Sequence, residues 1–362
     1  VTLVFYISGH GFGHASRQVE VINAIGRLRP GARIEIRSAV SPDLLSRTLT
    51  TPYRLVPTVT DTGIVQTDSV THDDEATLDA AVRFYRRFDE HAAREAASLP
   101  PDTALVVGDI PPVAFAAADA RRIPSAAIAN FTWDWIYRTQ PGFDREPWIA
   151  DVAARAYAAA STGLELPFSG GFEVFRRREA LPLIARRPTR TRQDTRRFFD
   201  IDPGRPAALL SFGGYGLPAL NLAGLDCLET WTIVTTDRVS AEAAAHPSIR
   251  RVPEARFRNS GFRYEDLVAA VDAVVTKPGY GIIAECAATG TAMLYTSRGR
   301  FREYDVLVAA LPRYVRSRFI DREALFAGRW RDSLGALLAQ PAPPEHLEPI
   351  GADTAAARIS EL

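Results

Sequence analysis

Lysine is almost missing from this chain. Of 43 basic side chains only Lys277 is a lysine, and the other 42 are arginine. That bias fits a GC-rich bacterial genome, which by itself accounts for the scarcity of lysine. Cysteine is scarce too: Cys227 and Cys286 supply neither a disulfide framework nor a metal cluster. Net charge is zero, with 43 acidic residues against 43 basic. No basic field argues for nucleic acid, and no acidic one for basic partners. No apolar run approaches the roughly 18 residues of a membrane span, and no secretory h-region opens the sequence. A cytoplasmic protein without a transmembrane segment is therefore expected. What is plentiful is apolar surface: 46% of 362 residues are hydrophobic, enough for two domains with large cores.

The chain opens on Thr2–Ser8, a continuous apolar run of buried-strand type. Gly9-His10-Gly11-Phe12-Gly13-His14-Ala15-Ser16-Arg17 follows, then a helix striped by Val19, Ile22, Ile25 and Leu28. Arg33–Ser38 reads as the next strand, which completes a βαβ unit of a doubly wound sheet. Several readings of the glycine turn stay open. As a dinucleotide fingerprint, its third glycine comes one residue early. As a metal pair, His10 and His14 need a helix that three glycines disfavour. As a close-approach turn, it brings a substrate to the backbone beside a histidine base. The bland reading is that both histidines merely pack the turn.

Downstream, Asp61–Asp68 reads as a polar loop, His72 and Asp73 as solvated, and Asp74 to Ala97 as one amphipathic helix. Ala104–Asp109 is a buried strand with Asp109 at its carboxyl end, where open α/β sheets place ligand-binding residues. Ser125–Ala129 is another, ending at Asn130-Phe131-Thr132-Trp133-Asp134-Trp135. Trp133 and Trp135 there suit stacking on a sugar or ring, or the filling of a domain interface. The segment from Leu181 to Arg192 is rich in arginine and proline and reads as a linker. The strand pattern then restarts with Ala207–Phe212, turned by Gly213-Gly214-Tyr215-Gly216, and Thr232–Thr235.

The most telling stretch is Lys277-Pro278-Gly279-Tyr280-Gly281, between the apolar run Ala273–Thr276 and a helix-like segment. A glycine-bearing turn at a helix start aims backbone N–H groups and partial positive charge at a ligand, and a diphosphate suits it. Glu285, one turn into the helix, is placed to accept hydrogen bonds from ribose hydroxyls. The alternative is a tight turn with no ligand.

Taken together, these pieces resemble the GT-B glycosyltransferases, α/β proteins with two Rossmann-like domains facing across a cleft. The glycine loops at 10–14 and 212–216 resemble those of the peptidoglycan N-acetylglucosaminyl transferase group. A nearer likeness is to the glycosyltransferase-like N-terminal region of plant L-arabinokinases. It is carried by Gly9–Arg17, Asp61–Asp68, Gly108–Pro112, Ala129–Trp135, Ser211–Gly214, Lys277–Glu285 and Phe301–Glu303. The kinase domain of the arabinokinases has no counterpart, so sugar phosphorylation is not implied.

The resemblance implies an acceptor domain over 1–183, a linker at 184–192, a nucleotide-sugar domain over 193–335 and a tail at 336–362 that packs back on the first domain. It implies inverting, metal-independent transfer from a UDP, GDP or dTDP sugar to a small-molecule or envelope acceptor. The donor is a co-substrate, and no cofactor is called for. On the donor side stand Gly213, Gly214, Tyr215, Gly216, Lys277, Pro278, Gly279, Tyr280, Gly281, Glu285, Arg300, Glu303 and Tyr304. Glu303 departs from the glutamines of the peptidoglycan group, so that group's sugar preference is not carried over. On the acceptor side stand Gly11, Gly13, Arg17, Gln66, Asn130, Trp133 and Trp135. The base is His14 first, His10 second, with Asp109 orienting the histidine or acting alone. A sugar-nucleotide epimerase and a non-catalytic nucleotide-sugar-binding protein remain the alternatives, with an NAD(P)-dependent oxidoreductase behind them.

Overall fold

The computed structural model describes residues 1–68, 71–213, 217 and 219–362, with Phe12 described by its backbone alone. Two all-parallel sheets are built one after the other. The first contains β1 (Thr2–Ile7), β2 (Arg33–Ser38), β3 (Tyr53–Pro57), β4 (Thr103–Asp109), β5 (Ser125–Phe131), β6 (Thr162–Gly170) and β7 (Arg178–Ala180), in the spatial order β3-β2-β1-β4-β5-β6-β7. The second contains β8 (Ala207–Ser211), β9 (Thr232–Thr235), β10 (Ile249–Arg251), β11 (Ala273–Thr276), β12 (Ala292–Tyr295) and β13 (Ser317–Phe319), in the order β10-β9-β8-β11-β12-β13. Each order reverses once, between β1 and β4 and between β8 and β11. At such a switch point the loops leaving the strand ends diverge and open a crevice.

The central strands are legible physics. β1 is buried along its whole length, as a strand covered by helices on both faces must be. Its side chains divide the core: Leu3, Phe5 and Ile7 pack on one face, Val4 and Tyr6 on the other. The helix α1 (Phe12–Leu28) lays Val19, Ile22 and Ile25 onto the first of these.

One expected helix is in fact two. The stretch from Asp74 breaks after Tyr85 and resumes at Phe88–Ser98. The break lets Phe84, Tyr85 and Phe88 enter the same core, with Tyr85 and Phe88 stacked at 5.7 Å. Asp73, expected to be solvated, instead caps the first of these helices by accepting from Ala76 N at 2.9 Å.

Residues 181–190 carry no helix or strand and join the two halves. In the second half, α2 (Tyr280–Thr289) follows β11 and α3 (Arg302–Tyr314) follows β12. The final helix, α4 (Gly351–Glu361), returns to the first half. Arg27 of α1 pairs with Asp353, and Arg358 pairs with Glu179 of β7. Gly351 has no room for a side chain, because a Cβ there would stand 2.2 Å from the Pro182 carbonyl oxygen.

Candidate active site

The glycine turn after β1 brings His14 into the first turn of α1, directly over the end of β4. His14 Nδ1 lies 2.8 Å from Asp109 Oδ1. Asp109 is fully buried, and burial alone drives a carboxyl's pKa up. The Arg17 guanidinium and His14 overcome that and hold it down at about 2. Arg17 grips the carboxylate with Nε at 2.5 Å and Nη2 at 2.6 Å, and Gln18 Nε2 adds a third donor at 2.9 Å. An ionised carboxylate only accepts, so this contact calls for a proton on His14 Nδ1, the same nitrogen that Arg17 Nη2, a donor, approaches at 2.9 Å. Nε2 then keeps its lone pair, with no protein partner among the described residues. Asp109 itself reaches no solvent.

Arg17 and Asn130, expected at an acceptor surface, are spent inside the protein. Arg17 Nη1 donates to Asn130 Oδ1 at 2.7 Å, and Asn130 Nδ2 donates to Glu303 Oε1 at 2.8 Å across the boundary between the halves. Arg298 Nη1 holds the other oxygen of Glu303 at 3.1 Å. Trp133 is also internal: it is 2% exposed, stacked on Tyr137, and its Nε1 donates to Asp61 at 2.9 Å. No face of its ring is open to a sugar. Trp135 is half-buried beneath Arg302, whose guanidinium lies 4.2 Å above the ring. His10 is more open than His14 and leans on Gly63, with Nε2 at 3.3 Å from the Asp61 carbonyl. Gly63 is needed there, since its φ is +57° and a Cβ would meet the His10 ring at 2.3 Å.

His72 was expected in solvent. It is half-buried, edge-on to Phe301 at 5.8 Å, and burial with the nearby Arg298 and Lys277 pushes its pKa down to about 4. Gln66 pairs across to it by a β-bridge. His72 of the first half thus packs on Phe301 of the second.

On that second half, α2 starts at Tyr280 with no side-chain cap and no acid in its first turn. The same is true of α1. The two uncapped helix starts meet: a Cβ built on Gly281 would lie 3.8 Å from Gly13 Cα. Lys277 stands beside them, and burial together with Arg298 pulls its pKa down to about 8, against an opposing pull from Asp68. Tyr280 is buried, with Arg17 over its ring at 5.1 Å. Glu285 is 3% exposed and bound by Arg186 Nε at 2.6 Å, while its Oε2 is buried without a partner. A cavity of about 10 Å³ adjoins it, walled by Gly13, Arg17, Tyr280 and Gly281.

Arg300 is exposed and Tyr304 half-buried at the start of α3. Gly213 is exposed with φ +76°, while Gly214, Tyr215 and Gly216 lie outside the described residues. One Asp-x-Asp occurs in the sequence, Asp200-Ile201-Asp202. It is a turn after the helix Arg192–Phe198, with Asp200 on Arg256 and Asp202 on the Gly204 amide. Among the described residues no group of acids, histidines and cysteines has a metal-holding arrangement, and no helix is long and apolar enough to cross a membrane.

Sequence reasoning missed Arg298 of the second half and Gln18 of the first, which carried no local signal, and it met Phe301 only as the edge of the stretch Phe301–Glu303. Arg186 was noticed only as part of an arginine-rich linker.

No family model matches the chain. Among curated proteins it is similar to the L-arabinokinase of Arabidopsis thaliana, with 26% identity over 338 residues, 91% of this chain and 31% of that protein. The chain therefore spans about a third of that relative's length. Among solved structures, the glycosyltransferase VinC in complex with dTDP matches with a TM-score of 0.60 and 16% identity, over 100% of this chain and 94% of that one. MurG of Acinetobacter baumannii matches with a TM-score of 0.57 and 15% identity, over 100% and 99%. The two resemblances read from the sequence thus have counterparts in these matches, and the fold is GT-B: two Rossmann-like domains.

Proposed function

We propose that this protein is a glycosyltransferase that moves a sugar from a nucleoside diphosphate donor to an acceptor hydroxyl, with inversion and without a metal. The observation that carries the reading is the meeting of two uncapped helix starts at Gly13 and Gly281, beside Lys277 and within reach of the His14–Asp109 pair. Convergent helix N-termini suit a diphosphate. The base stands on the opposite half, where an acceptor would be presented. VinC, which has the same fold, is seen with dTDP, in keeping with a nucleoside diphosphate.

In the transfer, the acceptor hydroxyl gives its proton to His14 Nε2 as its oxygen bonds to the anomeric carbon. The bond from that carbon to the diphosphate oxygen breaks, and its electron pair leaves on the nucleoside diphosphate. Lys277 and the backbone amides of 279–281 stabilise that charge as it develops. Asp109 keeps the Nδ1 proton in place and stabilises the imidazolium once formed. Attack from the face opposite the leaving group inverts the centre. Glu285 meets the ribose once Arg186 yields.

The test is to incubate the protein with UDP-, GDP- and dTDP-sugars, with and without a panel of hydroxyl acceptors, and identify products by mass and NMR. Acceptor-dependent release of nucleoside diphosphate with a β-from-α product supports the reading. A donor sugar isomerised without acceptor would make the protein an epimerase. Donor binding with no turnover would make it a sensor.

A further inference from the structure

The hydrogen bonds that set the base do not end in the half that carries it. They run from His14 to Asp109, from Arg17 to both Asp109 and Asn130, and from Asn130 to Glu303, whose other oxygen is held by Arg298. Every member as far as Glu303 is at most 9% exposed. Glu303 sits in the first turn of α3, in the second half, 173 residues from Asn130.

We propose that Glu303 is a positioning residue for the His14 base, acting through Asn130 and Arg17, so that the base is competent only when the two halves are docked. The inference rests on the reading of His14 given above.

The polarity of the chain dictates the mechanism. Glu303 only accepts, so Asn130 must turn its Nδ2 toward it and its Oδ1 toward Arg17. That oxygen pins Arg17 Nη1, which leaves Nε and Nη2 aligned on Asp109. Arg17 Nη2 is also only 2.9 Å from His14 Nδ1. A guanidinium released from Asn130 can donate to that nitrogen instead. The proton of the neutral ring then moves to Nε2, and the base is lost. Withdrawal of Glu303, as when the halves separate, lets the Asn130 amide flip and removes the pin. Neighbouring contacts hold α3 in place. Phe301, which precedes it, is buried among Phe131 and other core residues of the first half, and Arg302 Nη1 donates to the Trp135 carbonyl at 2.5 Å. A base armed only in the docked state protects the donor from water.

The arrangement makes a polarity-swap test possible. In Glu303→Gln the single remaining oxygen serves Arg298, and the amide N–H₂ faces the Asn130 N–H₂. In Asn130→Asp two carboxylates face each other. In the double variant, the new carboxylate at position 130 accepts from both Arg17 and the new amide at position 303, and every bond returns with its direction reversed at one link. Each single variant is expected to lower kcat about tenfold or more with little change in donor KM, and the double to recover to within about threefold of wild type. A merely structural role would give additive losses. The ring ¹⁵N shifts of His14 supply a readout that needs no turnover: one Nδ1–H tautomer in wild type and the double variant, a mixture in each single. If wild type transfers no sugar, the proposed function falls while the shifts still judge the relay. Single variants with the wild-type tautomer, or losses that add in the double, would overturn it.

Discussion

His14 Nδ1 and Asp109 Oδ1 stand 2.8 Å apart, on an α-helix and a strand end that the sequence separates by 95 residues. The contact fixes which imidazole nitrogen carries the proton and which is left to work. His14→Ala is expected to cut the rate of sugar transfer about 10²–10⁴-fold, the usual worth of a positioned base. Asp109→Asn should cost nearly as much while leaving nucleoside diphosphate binding intact, because it offers the histidine the wrong partner. Steady-state kinetics with a titrated donor check both. Full turnover by His14→Ala would remove it from the role.

Lys277 gives the pH dependence its sign. Burial and Arg298 pull its pKa down to about 8, so the ammonium is charged below that value and loses its proton above it. Nucleoside diphosphate affinity should therefore weaken as pH rises through about 8 and beyond. A Lys277→Arg variant keeps its charge well past that range, and its affinity should stay flat between pH 7 and 9. Calorimetric titrations at a series of pH values read this directly. An unchanged slope in the arginine variant would assign the pH effect elsewhere.

Gly281→Ala separates folding from binding. The added Cβ meets Gly13 Cα at 3.8 Å, an ordinary contact, so the melting temperature should hold. The methyl stands where the two helix starts converge, and nucleoside diphosphate affinity should fall about tenfold or more. A variant that binds normally would place the diphosphate away from this turn.

Phe301 is a second-half side chain buried in the core of the first. Phe301→Ala should cost about 3–5 kcal/mol, and calorimetry should show one melting transition resolving into two as the halves uncouple. A wild-type scan from this variant would deny the residue that role. As a local control, Asp73→Ala removes a helix cap and should cost about 1 kcal/mol with a single transition retained.

The inner strands were legible because burial on both faces demands continuous apolar runs, as in β1, β4 and β11. The edge strands were not. β7 is exposed at all three residues and β3 is only half-buried, so neither needs an apolar pattern. The glycine turns announced themselves through composition. What they face did not, because Arg17 finds Asp109 across 92 residues and Arg186 finds Glu285 across 99. The surroundings of Trp133 were hidden for a related reason. An aromatic beside polar residues at a strand end looks like a sugar platform until Tyr137 is seen stacked upon it. His72 looked solvated because nothing local reveals Phe301, which arrives from the other half of the chain.

The most direct measurement is a calorimetric titration of the protein with UDP, dTDP and GDP, repeated on Lys277→Met and His14→Ala. Saturable one-to-one binding of at least one of these, weakened about tenfold or more by Lys277→Met and unchanged by His14→Ala, is the predicted result. Binding of none of them, or binding that His14→Ala abolishes and Lys277→Met leaves untouched, would contradict a diphosphate held at the start of α2.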